Sequence, residues 1–563
     1  MRQIVWSSLL AVMAAATLLA QPKIYSIVNT ASYLTPPQDS KGNPIGNDVI
    51  AQGSIFIVFG ADLGPATATY PAGLPLPTTL PVSNGTSISI SAGGQTIAAY
   101  MFYTSALQVQ AILPSTTPVG TANVTLSYNG KTSAAFTISV VPSRLGIFTS
   151  NSQGYGIAAA QHGVGNTPIL MSNAAHPGET VVLYGTGLGP ITTPDNVAPG
   201  SVQVGTDVVV TIAGQTVTPT YAGRTPQFAG EDQVDFVIPA NVVTGCYVPL
   251  SVTATGQVSQ DFVLPVAPSG SSACKHIFGL SPAALATLDS GGTANVGLFQ
   301  ILSGYAAALG GAVQGAGGLF DNADSNSVFN MYNLIPVAYG AVSYPAPLNS
   351  CVVIDQVITS GGFNLPAIDQ IGGTELVADA ETLYINGPNG ANDNVVRQTT
   401  GGYVSPFLPP ILGPGSWTIS GLGGVDVGAF KATITLPDNL GWTNAGNFKS
   451  VPDAALTIVW SGGSASSSSV VTVFGNSTIV NPTDPTKSSA KSFYCAAPAS
   501  AGKFVVPASV RQQLPSAASG ESSFGSLGIT TGGFGSFTAP LKKGTLDAGV
   551  ITYAEAYVLS VTY

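Results

Sequence analysis

The apolar residues of this chain gather in short runs, rich in β-branched and aromatic side chains, that stop at glycine or proline. Thr180-Val181-Val182-Leu183-Tyr184, Val208-Val209-Val210-Thr211-Ile212, Val234-Asp235-Phe236-Val237-Ile238, Val248-Pro249-Leu250-Ser251-Val252 and Asp261-Phe262-Val263-Leu264 are examples. Such residues suit a pleated, half-buried surface, and Gly and Pro mark the turns between strands. No helical period intervenes here. The pattern predicts an immunoglobulin-like sandwich whose two inner faces bury alternate residues, without the Cys-Trp-Cys pattern of antibody domains.

The pattern is written twice. IAQGSIFIVFGADLGP returns as AHPGETVVLYGTGLGP, so that Gly53, Gly60, Leu63, Gly64 and Pro65 recur 125 residues later as Gly178, Gly185, Leu188, Gly189 and Pro190. Gln108 to Pro114 matches Gln233 to Pro239 at the same offset. A period this long gives each copy its own core, unlike solenoid units of ~20–50 residues. Two tandem sandwiches are expected, over 21–145 and 146–270. A Ser/Gly/Ala linker over 271–290 then leads to a larger β-sandwich-type domain, one or two units, over 291–563. Its strand candidates include Cys351-Val352-Val353-Ile354, Trp417-Thr418-Ile419, Phe430 to Leu436, Leu456 to Trp460, Val470 to Phe474 and Tyr557 to Val561. Ala- and Gly-rich 304–318 reads as either a short helix or a loop.

Composition supports the all-β class. Charged residues are only 7% of the chain, with 67 glycines and 41 prolines, so turns are dense and the surface is largely neutral and polar. A formal net charge of −10 argues against nucleic acid, which requires clustered Lys and Arg. Met1-Arg2 followed by apolar Ile4 to Ala20 is expected to be a secretory signal peptide, 1–20, because the run is shorter than the ~20 residues of a spanning helix. An uncleaved anchor is the alternative. The mature protein is expected outside the cell or on its surface, without a transmembrane segment. In that setting Cys246, Cys274, Cys351 and Cys495 suggest two disulfides, not a metal site, since no CxxC spacing occurs. Three connectivities are open in principle; Cys246 and Cys274 bracket the end of the second repeat, which leaves Cys351 with Cys495, and free buried thiols are the alternative.

PGETVVLYGTGLGP resembles the opening strand and turn of the IPT/TIG family of immunoglobulin-like domains. The longer pattern of NTASY, IAQGSIFIVFGADLG, LPLPTTL, Gln108 to Pro114, and TYAGRTPQFAGEDQVDFVIP followed by GCYVPLSV is similar to an uncharacterised domain of secreted acidobacterial proteins. The resemblance covers about residues 25 to 270. It implies a fold and an extracellular setting, and brings no catalytic residues.

Candidate chemistry is sparse. Gly185-Thr186-Gly187-Leu188-Gly189 lacks the following helix of a phosphate loop, and its glycines are expected at positive φ in turns. His162, His176 and His276 all precede the last domain, and neither a GxSxG elbow nor an HExxH motif occurs. Glu375, Asp379 and Glu381 cluster as carboxylates for glycoside hydrolysis would, or as solvated strand-edge charges. Asp321 to Asn326 and Asn389 to Asn394 lack calcium-loop spacing and are taken as polar turns. No metal or cofactor is expected. Candidate ligand contacts are Trp442, in a turn-like PDNLGWTN, and the loop holding Arg224 and Phe228 beside Glu231 and Asp232. Trp442 either stacks on a ligand or packs over a sandwich edge; an ion pair that orders the loop is the simpler role of Arg224. The expected function is a non-catalytic surface protein of structural, adhesive or macromolecule-binding type. Its candidate partners are an extracellular polysaccharide or a cell-surface protein. The alternative is a carbohydrate-active protein with its site in the C-terminal domain.

Overall fold

The computed structural model describes residues 21–36, 47–204, 207–260, 262–306, 311–334, 348–356, 374–378, 382–399, 401–405, 411–464, 469–480, 488–517 and 522–563. The expected signal segment lies outside these residues, as do Asp379 and Glu381 of the acidic cluster.

The first repeat contains β1 (Lys23–Asn29), β2 (Asp48–Ala51), β3 (Ile55–Ala61), β4 (Thr86–Ala92), β5 (Tyr100–Thr104), β6 (Gln108–Ile112), β7 (Gly120–Tyr128) and β8 (Phe136–Val141). One sheet runs β1-β3-β6-β5; the other runs β2-β8-β7-β4, with short strands at its edges. Period-two patterning decides which side faces in. In β4, Ile88 and Ile90 are buried between the outward Ser87, Ser89 and Ser91. They meet Ile27, Phe56, Val58, Val109 and Val124 in a core confined to this repeat.

The second repeat is built the same way from β9 (Ala160–His162), β10 (Thr180–Thr186), β11 (Val208–Ile212), β12 (Tyr221–Arg224), β13 (Asp232–Val237), β14 (Gly245–Ala254) and β15 (Phe262–Val266). One sheet contains β10-β13-β12 with β9 beside β10, and the other β11-β14-β15. Val181, Leu183, Val210, Phe236 and Leu250 form a separate core. β10 begins and ends 125 residues after β3, so the repeated sentence is a repeated sandwich strand. The repeated Gly60 and Gly185 do not serve a positive φ. A Cβ at Gly60 would lie 2.0 Å from the Lys23 carbonyl oxygen, and one at Gly185 2.3 Å from that of Gly146. Close approach of the neighbouring strand requires them.

The segment expected as a linker is docked. It forms α1 (Pro282–Asp289), whose Ser281 hydroxyl accepts from the Ala284 amide as an N-cap. Phe278, Leu280, Leu285 and Leu288 pack with Tyr247 of β14 and with Phe329 and Tyr332 of α2 (Ser325–Leu334) in one core. The described residues of the Ala/Gly-rich stretch, 304–306 and 311–318, are neither helix nor loop: they belong to β16 (Ala294–Ala306) and β17 (Gly311–Ala323), which pair antiparallel.

The rest of the chain supplies β18 (Ser350–Gln356), β19 (Phe430–Leu436), β20 (Val470–Val480), β21 (Ser489–Pro498), β22 (Ser522–Ser536) and β23 (Ala548–Ser560). A wide sheet runs β18-β21-β20-β22-β23-β16-β17 and continues through shorter strands to β19. β19 folds back against β22 and β23. The sheet thereby becomes two layers over a core of Phe299, Phe320, Phe430 and Phe537, with ring centroids 4.9 to 5.9 Å apart. β16 pairs β17 antiparallel but β23 in parallel. A small three-stranded sheet, including Gly441–Trp442 and Leu456–Ser461, covers a second core with Phe493, Leu527 and Ile529. Both expected disulfides are present. Cys246–Cys274 ties β14 to the approach to α1, and Cys351–Cys495 joins direct cross-strand partners on β18 and β21.

Candidate functional site

The two repeats meet through buried polar groups that belong to the most distinctive sequence segments. Asn29, first residue of NTASY, donates through Nδ2 to the carbonyl of Thr186 at 3.0 Å, across the repeat boundary, and to that of Arg144, just before it, at 3.3 Å. Its Oδ1 accepts from the amides of Ala31 and Ser32, and its carbonyl from the Tyr33 amide. This turn holds Tyr33 at φ +54, a backbone state costly for a bulky residue and kept only where surroundings fix it. The Ile55 amide donates to the Thr186 hydroxyl at 2.9 Å, and Ser115 donates its amide and hydroxyl to Asp195, each at 2.7 Å.

Arg224 locks the joint. Its side chain is 0% exposed; Nη1 is paired with Asp232, and Nη2 donates to the carbonyls of Gly53 at 3.0 Å and Gly189 at 2.8 Å. Burial pushes the Asp232 carboxyl up, while the Arg224 charge and the Leu188 amide pull it down. Gly53, at φ +70, must be glycine: a Cβ there would lie 2.2 Å from Arg224 Nη2. Arg224 is therefore structural and unavailable to a ligand, and its expected contact role is corrected.

Beside the joint lies an open groove of about 880 Å³. Its floor is the outward face of β10, β13 and β9, where alternation turns Tyr184, Gln233 and Gln161 away from the core. The first repeat contributes Tyr33 and Gln110, and Phe148 and Asn166 come from segments flanking β9. The loop after Arg224 supplies Phe228, which is 57% exposed, and Glu231. The Tyr184 hydroxyl donates to Gln161 Oε1 at 3.0 Å, and Gln233 Nε2 donates to Asp235 at 2.9 and 3.1 Å. Burial pushes the Glu231 carboxyl up, and burial with Glu231 and Asp235 nearby does the same to the Tyr184 hydroxyl.

The other sequence candidates fall elsewhere. Trp442 is 6% exposed, sits across from Trp460 in the small sheet, and donates Nε1 to Asn444 Oδ1 at 2.9 Å. It packs on Phe448 at 5.7 Å and is core, so its role as an exposed stacking platform is also corrected. Glu375 is paired with Arg397 and accepts from the Gly402 amide. Asp321 is buried two residues before the end of β17, and Asp324 Oδ1 accepts from the Ser327 amide at the start of α2; the expected polar turn is a strand end and a helix start. His162 and His176 flank Glu179, whereas His276 is buried against Tyr247. Of the three candidate contacts only Phe228 reaches the groove. Of its other lining residues the sequence singles out only Glu231, although an aromatic and amides at outward strand positions, Tyr184, Gln233 and Gln161, are a visible signal.

No protein-family model matches the chain, and no curated protein matches it. Among solved structures, domains 5-6 of the S-layer protein SbsC match 44% of this chain and 99% of their own at 13% identity, TM-score 0.16. SGBP-B from a complex xyloglucan utilization locus in Bacteroides uniformis matches 70% of this chain and 87% of its own at 11% identity, TM-score 0.16. Immunoglobulin domains 1–4 of Sidekick-1 match 95% and 99% at 9% identity, TM-score 0.11. Likenesses this distant carry no argument about activity. The all-β sandwich class rests on the chain's own sheets, and the two disulfides fit an oxidising, extracellular setting.

Proposed function

We propose that this is a secreted or cell-surface binding protein, without catalysis of its own, that holds a macromolecular ligand in the groove beside the joint of its two repeats. One observation carries the reading. Aromatic and amide side chains from both repeats converge on a groove near the upper end of the ~300–1,000 Å³ range of binding sites, and buried hydrogen bonds fix the repeats that frame it. Among the described residues lining the groove Glu231 is the one carboxyl, whereas glycoside hydrolysis uses a pair flanking the scissile bond. Export by a signal peptide and likeness to IPT/TIG-like domains belong to the same proposal: the apolar run Ile4 to Ala20 supports the first, and PGETVVLYGTGLGP, which supplies β10 and the turn after it, supports the second.

The test is co-sedimentation of the full chain with bacterial envelopes and extracellular polymer. Wild type should pellet with that material, and Phe228→Ala and Tyr184→Ala should remain largely in the supernatant. Undiminished pelleting of both variants would place the binding surface elsewhere.

A further inference from the structure

Resting on that reading, we infer that the groove's ligand is a neutral polysaccharide chain, and that Glu231 acts as the selectivity residue that turns anionic sugars away. Charge comes first. Among the described residues lining the groove there is no Lys, Arg or His, and Glu231 is the only ionisable carboxyl. A uronate, sulfate or phosphate polymer would lie against a carboxylate with no cation to receive it, although such polymers are recognised chiefly through Arg and Lys.

The remaining chemistry matches hydroxyl-rich rings. A sugar hydroxyl both donates and accepts, and a side-chain amide offers a donor and an acceptor side by side. The amides of Gln110 and Asn166 make no hydrogen bond to another described residue. Gln161 accepts from Tyr184, which leaves its NH2 to donate, and Gln233 is bonded through its NH2, which leaves its carbonyl oxygen to accept. Phe228 and Tyr184 supply flat apolar faces for the C–H side of a ring. Between the buried floor at Val182 and Thr149 and the exposed rim at Asn166 and Phe228, the groove stays open to solvent, as a chain longer than its site requires. A peptide is the poorer occupant. Extended peptides add to a sheet edge, but this groove crosses a sheet face, where backbone groups are already paired between strands.

Affinity electrophoresis of the full chain through gels containing mannan, soluble β-glucan or dextran, against polygalacturonate or heparin, tests this at low and high salt. At least one neutral polymer should retard the wild type, equally at both salts because no ion pair is involved. Phe228→Ala should weaken that retardation at least about tenfold, while Phe524→Ala, equally exposed in the C-terminal sheet, should leave it unchanged. Glu231→Gln should admit polygalacturonate that the wild type excludes. Retardation by polygalacturonate or heparin alone, or by no neutral polymer while envelopes still pellet the protein through Phe228 and Tyr184, would overturn the neutral-glycan assignment and leave the binding reading standing. Unchanged exclusion of polygalacturonate by Glu231→Gln would overturn the role given to Glu231.

Discussion

A buried ion pair is costly to break because removing one partner strands the other charge in a dry interior. Arg224→Ala would leave Asp232 without its cation and Gly53 and Gly189 without a donor. Urea unfolding should show a loss of about 3–5 kcal/mol, much of it recovered if Asp232 is replaced by a hydrophobe as well. Trp442→Ala should also destabilise, by about 3–5 kcal/mol as a buried aromatic, yet leave ligand binding intact, the reverse of Phe228→Ala. The sequence places Arg224, Phe228, Glu231 and Asp232 in one loop but cannot say which of them turns inward. Gly53, a partner of Arg224, is 171 residues away, and a contact at that distance leaves no local pattern. Of the two settings open to Trp442 in the sequence, packing is the one found, and the sequence could not choose for a related reason. Its surroundings spell a turn, and only the pairing with Trp460 makes it core.

At the scale of elements, strands with period-two apolar residues were legible and those made of Gly and Ala were not. β16 and β17 owe their strand state to partners. A Cβ on Gly318 would lie 2.4 Å from Phe299 and one on Gly297 2.7 Å from Phe320, so these glycines are spaces filled by rings of the neighbouring strand. α1 is hidden by its small residues, Ala283, Ala284 and Ala286, although Leu285 and Leu288 sit at helical spacing. The cysteines were legible because their positions flank elements. Non-reducing peptide mapping should recover Cys246–Cys274 and Cys351–Cys495 as the two linked pairs. With partners 28 and 144 residues apart, removal of each should cost about 3–4 and 4–5 kcal/mol by the loop-entropy account.

For the molecule as a whole, the expected train of separate modules is a continuous body. The Ser172 amide and hydroxyl bind Asp289 at 2.7 and 2.6 Å, and Asn151 binds Asn326 at 2.9 Å, so the second repeat and the C-terminal region share polar contacts as well as a core. That body carries buried acids. Burial pushes the carboxyls of Asp321 and Glu555 up to about 7, and raises Asp48, Glu231 and Asp235 in the same direction. Each such group stays protonated when folded at a pH where the unfolded chain has ionised it, so its stabilisation is full in acid and is lost as pH rises through the folded value. His276, pushed down to about 3, opposes this: below about 6.5 the unfolded chain takes up a proton that the folded one refuses. Several carboxyls outweigh one imidazole between about pH 4.5 and 6.5. Scanning calorimetry should therefore find a higher Tm near pH 5 than above 7, and Glu555→Gln should flatten the profile.

The parallel pairing of β16 with β23 also sets an order of assembly. Ile301 lies beside Tyr553, so the first strand of the wide sheet waits for a neighbour made some 250 residues later. Closing a loop that long carries an entropic cost before any contact rewards it, which makes the step slow. The half-made sheet meanwhile presents β16 with one side unpaired, an invitation to other chains. Folding of this protein thus favours a chain held open until β23 emerges, and a truncation before Ala548 should yield aggregate in place of a smaller folded product.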